Sequence, residues 1–116
     1  ETTNVPYLLG RLFSVLEAVQ KAANPGINTT IKDRYFNAAC ATPGIAFPTL
    51  LRLSQKHLRK LNDGLATYYD SQITALMAQL PESGFPARLS LPDQGKFAIG
   101  YYHQTQKRFA KKNEEE

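Results

Sequence analysis

The sequence has no tryptophan, one cysteine, two histidines and no long apolar run. Each shortage removes a class of function. A lone Cys40 cannot build an internal disulfide framework and fits a reducing compartment. Within Ala38-Ala39-Cys40-Ala41 it reads as a small buried apolar residue rather than a nucleophile. His57 and His103 fall on different predicted helices, with no cysteine partner and no His-x-x-x-His spacing, so no metal site is expected. Asp33, Asp70 and Asp93 make no recognisable acid–base pair. Gly95 to Gly100 has the rhythm of a phosphate loop, but a phosphate cradle needs Lys and Ser/Thr after its second glycine, and Tyr101 stands there. No catalytic residue and no cofactor are expected. Nothing approaches the roughly 20 apolar residues of a membrane span, and no secretory signal is recognisable, so a cytoplasmic place and no membrane partner are expected. The first residue is Glu1 rather than Met, which is compatible with a piece of a longer polypeptide.

Acid is also in short supply. Lys and Arg number 14 against 10 Asp and Glu, for a formal charge of +4, and Glu114, Glu115 and Glu116 at the end hide part of the bias. A chain of 116 residues is expected to form one domain with one core. That domain is expected over residues 1–112, followed by an acidic tail at 113–116. Moderate basicity suits a nucleic-acid partner without requiring one.

What is present is helical periodicity broken by Pro and Gly. Asn4 caps a first helix, with Pro6 in its first turn and Leu8, Leu9, Leu12, Phe13, Val15, Leu16 and Val19 at helical spacing. Asn24-Pro25-Gly26 ends it. A second helix is expected over residues 30–40, capped from Asn28-Thr29-Thr30, with Ile31, Arg34, Tyr35 and Ala38 inward. A third carries Leu50, Leu51, Leu53, Ser54, Leu58, Leu61 and Leu65 on one broad side. Pro48 is expected in its first turn, leaving residues 44–47 as a separate turn. Gly64 interrupts the run. A fourth helix over residues 65–80 turns Leu65, Tyr69, Ile73, Leu76, Met77 and Leu80 inward. After a Pro- and Gly-rich loop, Ser90, Pro92 and Asp93 start a fifth. No stretch alternates with period two for long enough to make a strand. The fold expected is all-α, a compact bundle of about five helices.

Two helices carry stripes of positive charge. On the third, Arg52, Lys56, Arg59 and Lys60 fall within about 100° of one another, opposite the leucines, and no acid lies between Leu50 and Lys60. On the fifth, Ala98, Tyr102, Thr105 and Phe109 gather on one side, and Lys96, His103, Lys107 and Lys111 on the other, flanked by Arg108 and Lys112. The first side is expected to dock on the core and the second to face a polyanion. Gly95 and Gly100 read as small residues that let another helix approach. Tyr69 and Tyr102 are expected in the core, Tyr68 and Tyr101 at the surface. A plain solvated face explains the stripes as well, because Lys and Arg are good helix formers and suit the negative end of a helix.

Several segments, in order, resemble one family. They are residues 4–13 (NVPYLLGRLF), 28–37 (NTTIKDRYFN), 41–43 (ATP), 50–55 (LLRLSQ), and 89–91 (LSL) through 100–104 (GYYHQ). The series is similar to the C-terminal region of the large subunit of type I-C CRISPR surveillance complexes (Cascade), which in that family is also made separately as the small subunit. It covers roughly residues 4–111. The resemblance implies a helical small subunit that cuts nothing, sits beside the backbone and large subunits of a guide-RNA complex in more than one copy, and helps hold target DNA, especially the displaced strand. It supplies no DNA-contact motif. The candidate contacts therefore come from the stripes alone: Arg52, Lys56, Arg59 and Lys60 as one track, Lys96, Lys107 and Lys111 as a second. A purely structural adaptor, or a fragment of the large subunit without DNA contact, is the alternative.

Overall fold

Helix starts in this chain are set by side chains that accept the free N–H groups of a first turn. Asn4 Oδ1 accepts from Tyr7 N at 3.2 Å and opens α1 (Val5–Ala23). Thr30 and Asp33 form a reciprocal capping box that opens α2 (Ile31–Ala41). Asn62 Oδ1 accepts from Leu65 N at 2.8 Å at the head of α4 (Asp63–Ala78). Ser90 Oγ accepts from Asp93 N at 3.3 Å at the head of α5 (Leu91–Glu115). The remaining helix, α3 (Pro43–Arg59), starts on proline, which has no N–H to satisfy. This computed structural model describes residues 4–115, with side chains for residues 4–110. The side chains of Lys111 and of the expected acidic tail lie outside the described residues. The described residues contain no strand, and the fold is an all-α bundle of five helices.

The bundle is organised on α1, which packs against all four other helices and most closely along α5. Two glycines make that closeness possible. A Cβ on Gly10 would collide with the carbonyl oxygen of Phe97 and lie 2.8 Å from Tyr101 N. A Cβ on Gly100 would collide with the Tyr7 carbonyl oxygen and lie 3.0 Å from its carbon. Backbone therefore meets backbone at both points. Gly100 acts as the sequence suggests; Gly95 does not, since it is exposed and nothing approaches it.

A ring cluster fills the space beside this crossing. Phe13 and Phe36 each contact both Phe97 and Tyr101, with centroids 5.4–5.9 Å apart and edge-to-face geometry. Phe47 reaches Phe97 from α3 and stacks on Phe85 of the loop before α5. One buried carboxylate sits at the cluster's edge. Glu17 accepts from Thr30 Oγ1 at 2.7 Å and from the Tyr101 hydroxyl, and Lys21 lies 3.8 Å away. Burial, then the hydrogen bond and charge of Glu17, hold the Tyr101 phenol protonated well above its ordinary range. Cys40 is buried as expected, and burial raises its thiol pKa.

Several faces differ from the expectation. On α5 the buried residues are Phe97, Gly100 and Tyr101, whereas Tyr102 and Phe109 are 49% and 57% exposed. The two sides of this helix are both apolar enough to dock, and Gly100 decides between them because only its side admits α1. On α2 the buried set is Ile31, Ala39 and Cys40, with Arg34 and Ala38 exposed; Phe36 turns the helix by joining the ring cluster. Leu65 is more exposed than expected and belongs to the first turn of α4. Residues 44–47 are not a separate turn. Pro48 lies inside a continuous α3, where it removes one helical hydrogen bond. Buried Ala46 and Phe47 hold the turn in register, and Gly44 N, in the first turn, donates to Pro86 O at 2.9 Å.

The glycine crossing generates a direct test. Gly10→Ala and Gly100→Ala are each expected to destabilise the fold by about 1–3 kcal/mol or more, as overpacking against backbone that cannot yield. Gly95→Ala is expected to stabilise it by about 0.5–1 kcal/mol, as a mid-helix glycine replaced in open space. Urea unfolding followed by circular dichroism separates the two outcomes.

Candidate nucleic-acid interface

The first predicted track is a physical surface. Arg52, Lys56 and Arg59 stand at i, i+4 and i+7 of α3, all exposed, and Lys60 is exposed at the C-cap. Helical spacing places them opposite Leu50, Ser54 and Leu58, which are buried. Their charge is not consumed internally: among the described residues none of the four makes an ion pair. Arg52 Nη2 donates to Thr49 Oγ1 at 3.5 Å and Lys60 Nζ to Asn24 Oδ1 at 3.3 Å, both neutral acceptors. Arg59 lines a shallow groove between α3 and α4, where Asp70 is a neighbour but not a partner.

The second track is less uniform. Lys96 is paired with Asp93 one turn earlier, at 3.6 Å. Lys107 is exposed and free of ion pairs among the described residues. Lys111 lies outside the described side chains. The two tracks ride on helices that touch through Phe47 and Phe97 without close backbone packing, and no described interaction joins the track residues of one to those of the other. His103, expected on the same row, accepts or donates a 2.8 Å hydrogen bond with the Tyr7 hydroxyl.

Two cations that the stripes did not single out as a site meet Lys107 in space. Arg11 of α1 and Arg108 of α5 line the same cleft of about 300 Å3, opposite Tyr68, Gln72 and Leu76 of α4. Arg11 Nε donates to Gln104 Oε1 at 2.9 Å, and Arg108 Nη2 to Ser14 Oγ at 3.1 Å. Burial lowers the pKa of Arg108; Tyr69 and Glu17 act against that shift. The sequence held one signal for this. Arg11 is the one charged residue in the run from Val5 to Leu16, an unusual place for a charge without a purpose. Arg108 had none, since it stands among the basic residues that close the helix.

Stacking surfaces also change identity. Tyr68 is exposed and Tyr69 half-buried, as expected, but Tyr101 and Tyr102 exchange places. Tyr102 is at the surface, with Lys32 Nζ 3.2 Å from its hydroxyl and 5.2 Å from its ring centroid.

Against known proteins, residues 1–109 match the family model described as CRISPR-associated protein (Cas_Csd1). The chain belongs to the Cas_Csd1 family. No curated protein matches it. Family membership ties this Cas_Csd1 chain to CRISPR systems, and its geometry adds what such a chain offers a partner: a line of exposed cations on α3, unpaired among the described residues, and a basic cleft on the side of α1 that faces α4 and α5. No helix among the described residues is long and apolar enough to cross a membrane. Among those residues there is also no cluster of three or more His, Cys, Asp or Glu placed to hold a metal ion.

His57 lies where the α3 cations meet the core. It is half-buried in a recess shared with Arg34 and Tyr35 of α2. Burial and then the charge of Lys60 lower its pKa from the ordinary 6.5. The neutral form is thus favoured in the folded state. Its contribution to stability is complete above pH 6.5 and is lost as pH falls through the lowered folded value. Stability is therefore expected to rise with pH just below 6.5, and His57→Gln to flatten that rise. Thermal unfolding of both proteins across that window checks it; parallel profiles would refute the assignment.

Proposed function

We propose that this chain is a non-catalytic small subunit of a type I-C CRISPR surveillance complex. In this reading it supports assembly beside the backbone and large subunits around the guide RNA, in more than one copy, in the cytoplasm. It holds target DNA without reading its sequence, above all the strand displaced when the guide pairs with its target. The observation that carries the reading is the α3 face, where Arg52, Lys56, Arg59 and Lys60 are exposed and unpaired among the described residues of a CRISPR-associated family member. Such a division of labour is physically economical, because base pairing reads the sequence and the protein needs only to hold backbone. Point charges on flexible stems suit phosphates whose spacing varies along a single strand.

A second reading, a structural adaptor or large-subunit fragment without DNA contact, is favoured by a different observation. Ile99, Tyr102 and Phe109 are all about half exposed or more and recur along one side of α5. An apolar row of that kind suits a protein neighbour better than a polyanion. In this reading the α3 cations meet acidic surfaces of other subunits.

The readings separate in one experiment. Binding of the chain to labelled single-stranded DNA is expected to weaken steeply with salt, with a log–log slope of roughly −2.8 if four phosphates are engaged. The triple variant Arg52→Glu, Lys56→Glu, Arg59→Glu is expected to lose that binding while keeping its helical circular dichroism. In the assembled complex it is expected to remain incorporated but to capture target DNA poorly. Loss of the variant from the complex before DNA is added, seen by native mass spectrometry, would favour the adaptor. Undiminished DNA capture would overturn the role of this track.

A further inference from the structure

Arg108 Nη1 is buried and has no hydrogen-bond partner among the described residues. The other end of the same guanidinium is fixed: Nη2 donates to Ser14 Oγ, and Ser14 Oγ lies 2.7 Å from Thr105 Oγ1. No described carboxylate pairs with Arg108. A desolvated cation with an idle donor is costly to keep unless something anionic completes it. The cleft that Arg108 lines gathers more of the same. Arg11 is anchored through Nε to Gln104, a neutral acceptor that leaves its charge intact, and Lys107 stands exposed at the margin. Among the described residues no carboxylate lines the cleft.

The opposite wall has another character. Tyr68, Ala75 and Leu76 of α4 give it an aromatic and aliphatic side, and Gln72 and Gln79 add carboxamides, which both donate and accept. A partner's carboxylate would use the cations and not that wall. A nucleotide uses both: phosphate for the guanidinium groups, a π-face for the ring, and base edges for carboxamides that can satisfy any of the four. The volume of about 300 Å3 stands at the small end of ligand pockets, which run from about 300 to 1,000 Å3, and suits one nucleotide rather than several.

We propose that the cleft between α1, α4 and α5 is a mononucleotide pocket, in which Arg11, Lys107 and Arg108 hold the phosphate and Tyr68 and Leu76 pack the base. The proposal rests on the reading that this chain binds nucleic acid and adds to it a defined seat, separate from the α3 track, where one residue of a strand is held out of the rest. Free nucleotides and strands share the chemistry, so the test uses both.

The full chain is titrated with deoxythymidine 5′-monophosphate, with deoxythymidine, with inorganic phosphate and with a short oligodeoxythymidylate, following amide and arginine Nε–H resonances by NMR. The monophosphate is expected to shift Arg11, Tyr68 and Arg108 signals, and to bind more tightly than either the nucleoside or phosphate alone. The double variant Arg11→Gln, Lys107→Gln is expected to weaken both the monophosphate and the oligonucleotide by roughly tenfold or more. These residues are chosen because Arg108 also holds Ser14, so its loss would disturb the fold. Tyr68→Ala is expected to weaken the monophosphate but not inorganic phosphate. Oligonucleotide binding that survives the double variant and is lost in the α3 triple variant would overturn the pocket and leave the DNA reading standing. Monophosphate binding without oligonucleotide binding would support a pocket for free nucleotides and overturn the DNA reading. Equal affinity for phosphate and monophosphate would overturn the base-packing wall, and no binding of any of the four would overturn both proposals.

Discussion

The rest of the molecule depends on the contact of α1 with α5 through Gly10 and Gly100. Without side chains at these two positions the helices meet at backbone distance. That distance puts Phe97 and Tyr101 among the rings of Phe13 and Phe36, and brings the Tyr101 hydroxyl to Glu17. Glu17 in turn accepts from Thr30, the residue that starts α2. Farther along the same pair of helices, Ser14 meets Thr105 and Arg108. One steric permission thus fixes the angle of α5, the rotation of α5 about its own axis, and the start of α2. A buried carboxylate is tolerated in this setting because two hydroxyl donors are held in place for it.

Much of the architecture was legible in the residues. The number of helices, the caps at Asn4 and Ser90, a cap for α2 within Asn28-Thr29-Thr30, the buried state of Cys40 and the exposure of the α3 cations all follow from short-range rules: spacing, capping and the solvation of charge. What was not legible is of one kind. The rotation of α5 exchanged Tyr101 with Tyr102, and that of α2 exchanged Arg34 and Ala38 with Phe36 and Ala39. In each case the helix has two sides of comparable apolarity, and the choice is made by a partner far away in sequence. Local periodicity cannot see that partner. Continuity of α3 through Pro48 has the same origin, since the burial of Ala46 and Phe47 outweighs the hydrogen bond that proline removes. The basic cleft was hidden for a related reason. Its cations come from the two ends of the chain and its aromatic wall from the middle.

Positive charge takes two forms in this Cas_Csd1 chain. On α3 it is a row of exposed ends on long stems, placed by helical spacing alone. Around Arg11 and Arg108 it is anchored by hydrogen bonds to neutral groups and partly withdrawn from water. The first form attracts from a distance and yields to salt; the second acts at contact and demands a shape. On the proposed reading, in which the chain holds a strand without reading it, both forms have a use, one to gather and one to register. Lys96 belongs to neither form, because Asp93 already occupies it, and Lys32 is drawn toward the rings of Tyr101 and Tyr102.

Cys40 ends as more than an inert filler. It is the sole thiol of the chain, it lies where α2 faces the start of α5, and its sulfur is 3.6 Å from the Gln94 carbonyl. Burial keeps it protonated, so reagents that need thiolate meet almost none while the helices are closed. Its alkylation rate is therefore a clock for how often α2 lifts from α5. The chain carries its own reporter of breathing at the seam beside the ring cluster, and a label placed at any engineered surface cysteine would have no native competitor until that seam opens.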